Sequence, residues 1–128
     1  MTIRDKTLLI VDDAPDNIQL LSGLLKAQYK VKAATGGDKA LSIAQKAPHP
    51  DLILLDVMMP GMDGYQVCEK LKANVLTAEI PVVFVTGHSS EDEQRRGMEM
   101  GGAAYLSKPV DPRELFDVLE RILVTNEH

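Results

Sequence analysis

Three apolar runs in this 128-residue chain end on polar groups, residues 8–11 on Asp12-Asp13, 52–55 on Asp56 and 82–85 on Thr86. A fourth, residues 103–106, ends on Ser107-Lys108-Pro109. If the fold brings these ends together, three carboxylates, a hydroxyl and an ammonium share one small pocket. Clustered carboxylates raise one another's pKa unless a cation sits among them. An all-oxygen donor set, without His or Cys, suits Mg²⁺, which keeps several waters and takes few protein ligands. Lys108 and Thr86 are then left to face an anion. A phosphoryl group, with Mg²⁺ on one side and Lys and Thr on the other, satisfies the whole set. Asp56 is thereby a candidate nucleophile that takes the phosphoryl group as an acyl phosphate. The rest of the chain would position and neutralise.

Such convergence requires particular elements. Apolar runs at residues 8–11, 31–34, 52–55, 82–85 and 103–106 alternate with helical patterns. Those patterns are Ile18, Leu21, Leu25; Ala40, Leu41, Ala44; Tyr65, Cys68, Leu71; a polar segment at 90–100; and Leu115, Phe116, Leu119, Ile122, Leu123, the clearest three-and-four spacing. Pro15 opens the first helix, Pro48 and Pro50 bar the second from continuing, and Ser90 with Glu93 has capping-box spacing. Asp111-Pro112-Arg113-Glu114 supplies N-cap, N1 proline and N3 acid for the last. Strands alternating with helices predict a parallel sheet covered on both faces. The first, third and fourth runs are apolar throughout, as in strands buried on both faces, whereas residues 29–33 alternate and the fifth run is short. The second and fifth strands therefore belong at the edges. The expected fold is α/β, a five-stranded parallel sheet of order 2-1-3-4-5 flanked by five helices, flavodoxin-like and doubly wound. In such sheets ligands bind beyond the carboxyl ends of the strands.

Composition narrows the function. With 45% hydrophobic and 26% charged residues, the chain suits one domain over residues 1–128. Cys68 is the only cysteine, which excludes an internal disulfide and fits a reducing cytoplasm. His49, His88 and His128 lie too far apart in sequence to form a ligand pair. No secretory leader and no apolar run of membrane-spanning length is present, so a cytoplasmic protein without membrane contact is expected. A net charge of −5, without a basic cluster, argues against direct nucleic-acid binding.

Taken singly, each site residue has a plainer reading. Asp13 could favour a helix N-terminus, Asp56 could be a turn acid, Thr86 a β-branched strand residue and Lys108 a solvated lysine. Their joint placement at successive strand ends shifts the balance. Met58, Met59 and Met62 read as turn and packing residues, Cys68 as core, Gly36-Gly37 as a strand-to-helix turn, and Glu91-Asp92-Glu93 as a solvated first turn.

Four blocks resemble the receiver domain of two-component response regulators, the CheY-like family. They are LLIVDDAPDN at 8–17, DLILLDVMMPGMDG at 51–64, IPVVFVTG at 80–87 and GGAAYLSKPVDPREL at 101–115. The resemblance implies that Asp56 accepts a phosphoryl group from the phosphohistidine of a sensor histidine kinase or phosphotransfer protein. It implies Mg²⁺ bound by Asp13, Asp56 and the Met58 backbone carbonyl, with Asp12 acting through water. Thr86 and Lys108 would hold phosphoryl oxygens, and Tyr105 would be an aromatic switch drawn inward with Thr86. Lys108-Pro109 would be a cis peptide, and Gly87 would leave room for the phosphoryl group and an attacking water.

Receivers are not turnover enzymes but catalyse their own phosphorylation and dephosphorylation. The fourth helix, fifth strand and fifth helix would form the face that meets an output domain or partner protein, a phosphorylation-linked homodimer included. The DDxPxN pattern is similar to receivers attached to cyclic-di-GMP enzymes or kinases. A stand-alone receiver and one excised from a longer regulator both stay open. A haloacid-dehalogenase-type phosphatase needs DxDx[TV] after the first strand, which Asp12-Asp13-Ala14-Pro15-Asp16 does not supply. A phosphorylation-independent docking scaffold is disfavoured by the intact acids, threonine and lysine.

Overall fold

The computed structural model describes residues 6–87 and 90–125. His88, His128 and the first five residues lie outside them. The elements alternate as expected: β1 (Thr7–Val11), α1 (Pro15–Leu25), β2 (Lys30–Ala34), α2 (Gly37–Gln45), β3 (Leu52–Leu55), α3 (Gly64–Ala73), β4 (Val82–Thr86), α4 (Glu91–Glu99), β5 (Ala104–Ser107) and α5 (Pro112–Thr125). The five strands form one sheet of order β2-β1-β3-β4-β5. All neighbouring pairs are parallel.

Burial follows the position of each strand. Every residue of β1, β3 and β4 is buried, while β2 and β5 are partly open, as their alternating or short sequences require of edges. Successive side chains point to opposite faces. Leu9, Val11, Ile53, Leu55 and Phe84 meet Ala40 and Ala44 of α2 and Cys68 and Leu71 of α3. Leu8, Ile10, Leu54, Val83 and Val85 meet Leu21 and Leu25 of α1 and Leu115, Leu119 and Leu123 of α5. Helix α4 buries only Gly97. A Cβ there would stand 3.0 Å from the Phe84 and Tyr105 rings, so the missing side chain is what lets this polar helix approach the sheet.

Several strand boundaries differ by one residue from the sequence reading: β1 and β2 begin earlier, at Thr7 and Lys30, and β5 begins later, at Ala104. Thr86 and Ser107 are the last residues of β4 and β5, since they pair with each other and extend the ladder by one step. Pro15 does stand in the first turn of α1, and Asp111 Oδ1 accepts from the Arg113 N–H at 3.0 Å. Helix α3 has a capping box that was not anticipated: Asp63 accepts from the Gln66 N–H while the Gln66 side chain accepts from the Asp63 N–H, both at 2.9 Å. Beyond α2, His49 Nδ1 lies 2.8 Å from the Ala44 carbonyl. Two X-Pro bonds are cis, Lys108-Pro109 as the resemblance implied and Ala47-Pro48 in addition.

Candidate functional site

Val11 pairs with Leu55, so the residues that follow β1 and β3 emerge side by side at the carboxyl edge of the sheet. Asp12 and Asp56 are both buried there, 2% and 5% exposed, while Asp13 faces solvent. One carboxylate oxygen from each of Asp12, Asp13 and Asp56 lies within 4.8 Å of the other two. Backbone amides help to hold them: the Ala14 N–H donates to Asp12 Oδ1 at 2.9 Å, and the Met58 N–H reaches Asp56 Oδ1 at 3.4 Å.

The ammonium arrives at the same carboxyl edge from β5, the outer strand beyond β4. Pairing of Thr86 with Ser107 levels β5 with β4. Lys108 then places Nζ 2.8 Å from Asp12 Oδ2 and 3.6 Å from Asp56 Oδ2. Thr86 is wholly buried at the end of the strand between β3 and β5, and its carbonyl accepts from the Lys108 N–H at 2.9 Å. The five residues singled out at strand ends therefore share one edge. Met58 is exposed, Met59 is buried, and Met62 packs partly against the core. At Gly87 an added Cβ would meet no described atom within 4 Å.

Electrostatics mark Asp56 out. Its pKa is pushed up to about 6, first by burial; Lys108 opposes the rise, Asp12 adds to it, the Met58 N–H opposes it, and Asp13 adds a little. Burial and like charge outweigh one lysine, which is the condition that a bound cation relieves. Three convergent carboxylates, one of them open to solvent, are hard oxygen donors with no nitrogen or sulfur among them. This donor set fits Mg²⁺ and leaves coordination positions for water.

Several contributors were not legible beforehand. Gly64 donates its N–H to the Val57 carbonyl at 2.9 Å. A Cβ on it would overlap the Asp56 carbonyl oxygen and come within 2.8 Å of Val57 Cα. The DG at 63–64 was available as a turn signal, but only the geometry shows helix α3 starting directly against the backbone of Asp56. Tyr65, read as a core position, sends its hydroxyl to Glu93 Oε2 at 2.7 Å and lies 3.4 Å from the Tyr105 hydroxyl. Glu93 is thus not the solvated acid expected from the run at 91–93. Ser90 Oγ does accept from the Glu93 N–H, at 3.2 Å, while the Glu93 carboxylate serves Tyr65.

A doubly wound parallel sheet with a carboxylate cluster and a lysine at its carboxyl edge defines a phosphoacceptor domain. Residues 8–120 match the family model of the response regulator receiver domain, and the chain belongs to that family. It is 46% identical over 110 residues to the response regulator PleD of Caulobacter vibrioides, covering 85% of this chain and 24% of that one. It is 47% identical over 104 residues to a Vibrio cholerae protein named "Probable cyclic di-GMP phosphodiesterase", covering 81% of this chain and 23% of that one. The chain spans about a quarter of the length of these relatives. Among solved structures, the chemotaxis protein CheY4 of Vibrio cholerae superimposes with a TM-score of 0.85 at 33% identity, covering 92% of this chain and 98% of that one. The chain is therefore a signalling receiver of the two-component type, and its acidic pocket fits the phosphorylation site. Among the described residues no helix is long and apolar enough to cross a membrane.

Proposed function

We propose that Asp56 is the phosphoacceptor, Thr86 and Lys108 the groups that hold phosphoryl oxygens, and Tyr105 the residue that reports the modification. The observation that carries this is the Lys108 ammonium seated between the buried Asp12 and Asp56 in a three-carboxylate cluster that Asp13 completes from the solvent side. Asp13, Asp56 and the Met58 carbonyl would bind Mg²⁺ directly, and Asp12 through water. When bound, the ion screens the negative charge of the incoming phosphate.

The chain's own residues do the rest. A carboxylate oxygen of Asp56 attacks phosphorus as the N–P bond of a phosphohistidine breaks, and the electron pair of that bond stays on the imidazole. Lys108, bound to Asp12 beforehand, moves its charge toward the new phosphoryl oxygens. The Thr86 hydroxyl, on the neighbouring strand, donates to another. Hydrolysis reverses the modification when water attacks phosphorus in the space beside Gly87: the P–O bond to Asp56 breaks, its electron pair restores the carboxylate and inorganic phosphate leaves, so the domain acts on itself alone.

The output surface would be the α4-β5-α5 face. There a cavity of about 730 Å³ is lined by Met98, Tyr105, Arg113 and Arg121 among others. The partners are a sensor histidine kinase or phosphotransfer protein upstream, and an output domain, partner protein or second phosphorylated copy downstream. We read residues 1–128 as one receiver domain of the cytoplasm that binds no nucleic acid itself. Intact-mass analysis with acetyl phosphate tests the chemistry. One Mg²⁺-dependent phosphoryl adduct, absent in Asp56→Asn, is expected; a wild type that stays unmodified while binding Mg²⁺ would favour the docking scaffold or a receiver that requires its own kinase.

A further inference from the structure

Tyr65 stands where three parts of the molecule meet. It is 2% exposed in the first turn of α3, directly after Gly64, whose missing side chain lets it rest on the Asp56 carbonyl. Its ring meets Phe84 of β4 edge-on with centroids 5.3 Å apart, and the Arg96 guanidinium lies 4.5 Å from its centroid. Its hydroxyl contacts Glu93 of α4 twice, at the carboxylate, 2.7 Å, and at the backbone carbonyl, 3.1 Å. The 2.7 Å contact to an ionised acceptor is the strong one and takes the phenolic proton. The Tyr105 hydroxyl, 3.4 Å away, is then the donor toward Tyr65. Packing alone would be satisfied by phenylalanine here. The hydroxyl instead joins the first turn of α4 to Tyr105 through one atom.

We propose that Tyr65 is a positioning residue of the switch, whose hydroxyl holds Tyr105 and the first turn of α4 together in the arrangement seen here and makes them move as a unit. This rests on the reading of Tyr105 as the reporter of phosphorylation, and it adds a physical path to that reading. Displacement of the Asp56 backbone presses on Gly64, Gly64 carries Tyr65, and Tyr65 carries both Glu93 and Tyr105. Neither helix α4 nor Tyr105 leaves this arrangement without losing a hydrogen bond to the same oxygen.

The test uses the three tyrosines, Tyr29, Tyr65 and Tyr105, as ¹⁹F probes after incorporation of 3-fluorotyrosine. Resonances are assigned with Tyr→Phe variants, and Tyr29, buried on the opposite face of the sheet, serves as the internal control. Without any phosphodonor, Tyr65→Phe should raise the population in which the Tyr105 ring has left its place by about threefold, the weight of one long neutral hydrogen bond. A soluble gadolinium chelate reads this as broadening of the Tyr105 resonance. Glu93→Gln keeps an acceptor oxygen but not its charge, and should give a smaller effect in the same direction, about 1.5-fold. A Tyr105 resonance unmoved and no more accessible in Tyr65→Phe overturns the inference, as does a Glu93→Gln effect confined to residues of α4. The readout needs no phosphoryl group, so its failure is separate from that of the receiver reading. The latter fails only if wild type forms no adduct at Asp56 in the mass measurement above.

Discussion

The interior of the sheet and its carboxyl edge are one residue apart in sequence and opposite in physics. Leu52, Ile53, Leu54 and Leu55 are at most 1% exposed and surrounded by apolar side chains; Asp56, the next residue, is almost as buried but carries a carboxylate among carboxylates. The interior removes apolar surface from water and contributes roughly 1.5–3 kcal/mol per large side chain. The edge does the reverse. It holds Asp56 in a place where burial and neighbouring charge disfavour its ionised form, and Lys108 offsets only part of the cost. The difference teaches where reactivity is stored: the apolar strands fix the acids in position firmly enough that they cannot move apart to relieve their repulsion.

Truncation of the interior should produce the largest effect and the least specific. Leu54→Ala, on the α1/α5 side of the sheet, is expected to destabilise by about 3–4 kcal/mol through lost transfer energy and a residual cavity. Denaturant unfolding measures this, and phosphorylation per folded molecule should be unchanged. A comparable loss of Asp56 modification at full folding would break the proposed separation between the two regions.

Removal of the charge at the edge should act with the opposite sign. The folded state holds Asp56 near pKa 6, above the ordinary value of 3.8, so between these values the folded chain binds more protons than the unfolded one. Stability therefore falls as pH rises through this window, and the full cost is present above it. Asp56→Asn, neutral at every pH, is expected to be more stable than wild type by about 2–3 kcal/mol at pH 7.5 and to lose most of that advantage below about pH 4. Thermal melts at the two pH values measure the difference. A destabilised Asp56→Asn at pH 7.5 would show that the carboxylate is net favourable where it stands.

The same contrast explains what could be read from the sequence. Interior strands are legible because uninterrupted apolar runs such as 8–11 and 52–55 have few other solutions, and their difference from the alternating Tyr29-Lys30-Val31-Lys32 separates centre from edge. The site acids are legible because strand ends in a parallel sheet converge whatever the intervening sequence. Contacts between elements are not. Nothing in the spacing of Tyr65 and Glu93, 28 residues apart, announces that a core tyrosine will find an acid of a helix that buries only a glycine. Nor does Gly64 show in sequence that its missing Cβ is needed by the backbone of Asp56. Patterns reveal what an element is, whereas close approaches depend on how neighbouring elements settle.

Mg²⁺ should narrow the gap between the two regions. A cation among Asp12, Asp13 and Asp56 relieves the repulsion, so at ten times its dissociation constant it is expected to stabilise wild type by about 1.4 kcal/mol. It should also flatten the fall in stability between pH 4 and 6, because a metal-bound carboxylate no longer resists ionisation. Asp13→Asn should lose most of both effects, since it removes the exposed ligand while Asp12 and Asp56 stay in place. Equal stabilisation of Asp13→Asn by Mg²⁺ would move the cation away from this cluster.

The smallest effect concerns α4, which belongs to neither region. Apart from Gly97 it contributes no buried residue, so its position depends on its cap and on the contacts of Glu93 and Arg96 with Tyr65. Ser90→Ala removes the hydroxyl that accepts from the Glu93 N–H and should cost about 1 kcal/mol. In a nine-residue polar helix that loss should appear locally, as amide exchange about fivefold faster across α4 with β1 and β3 protection nearly unchanged. If exchange instead accelerated equally in β3, α4 would be part of the cooperative core rather than a separately held element. Local loosening alone would mean that the helix can shift without unfolding the sheet, which a switch positioned by the carboxyl edge requires.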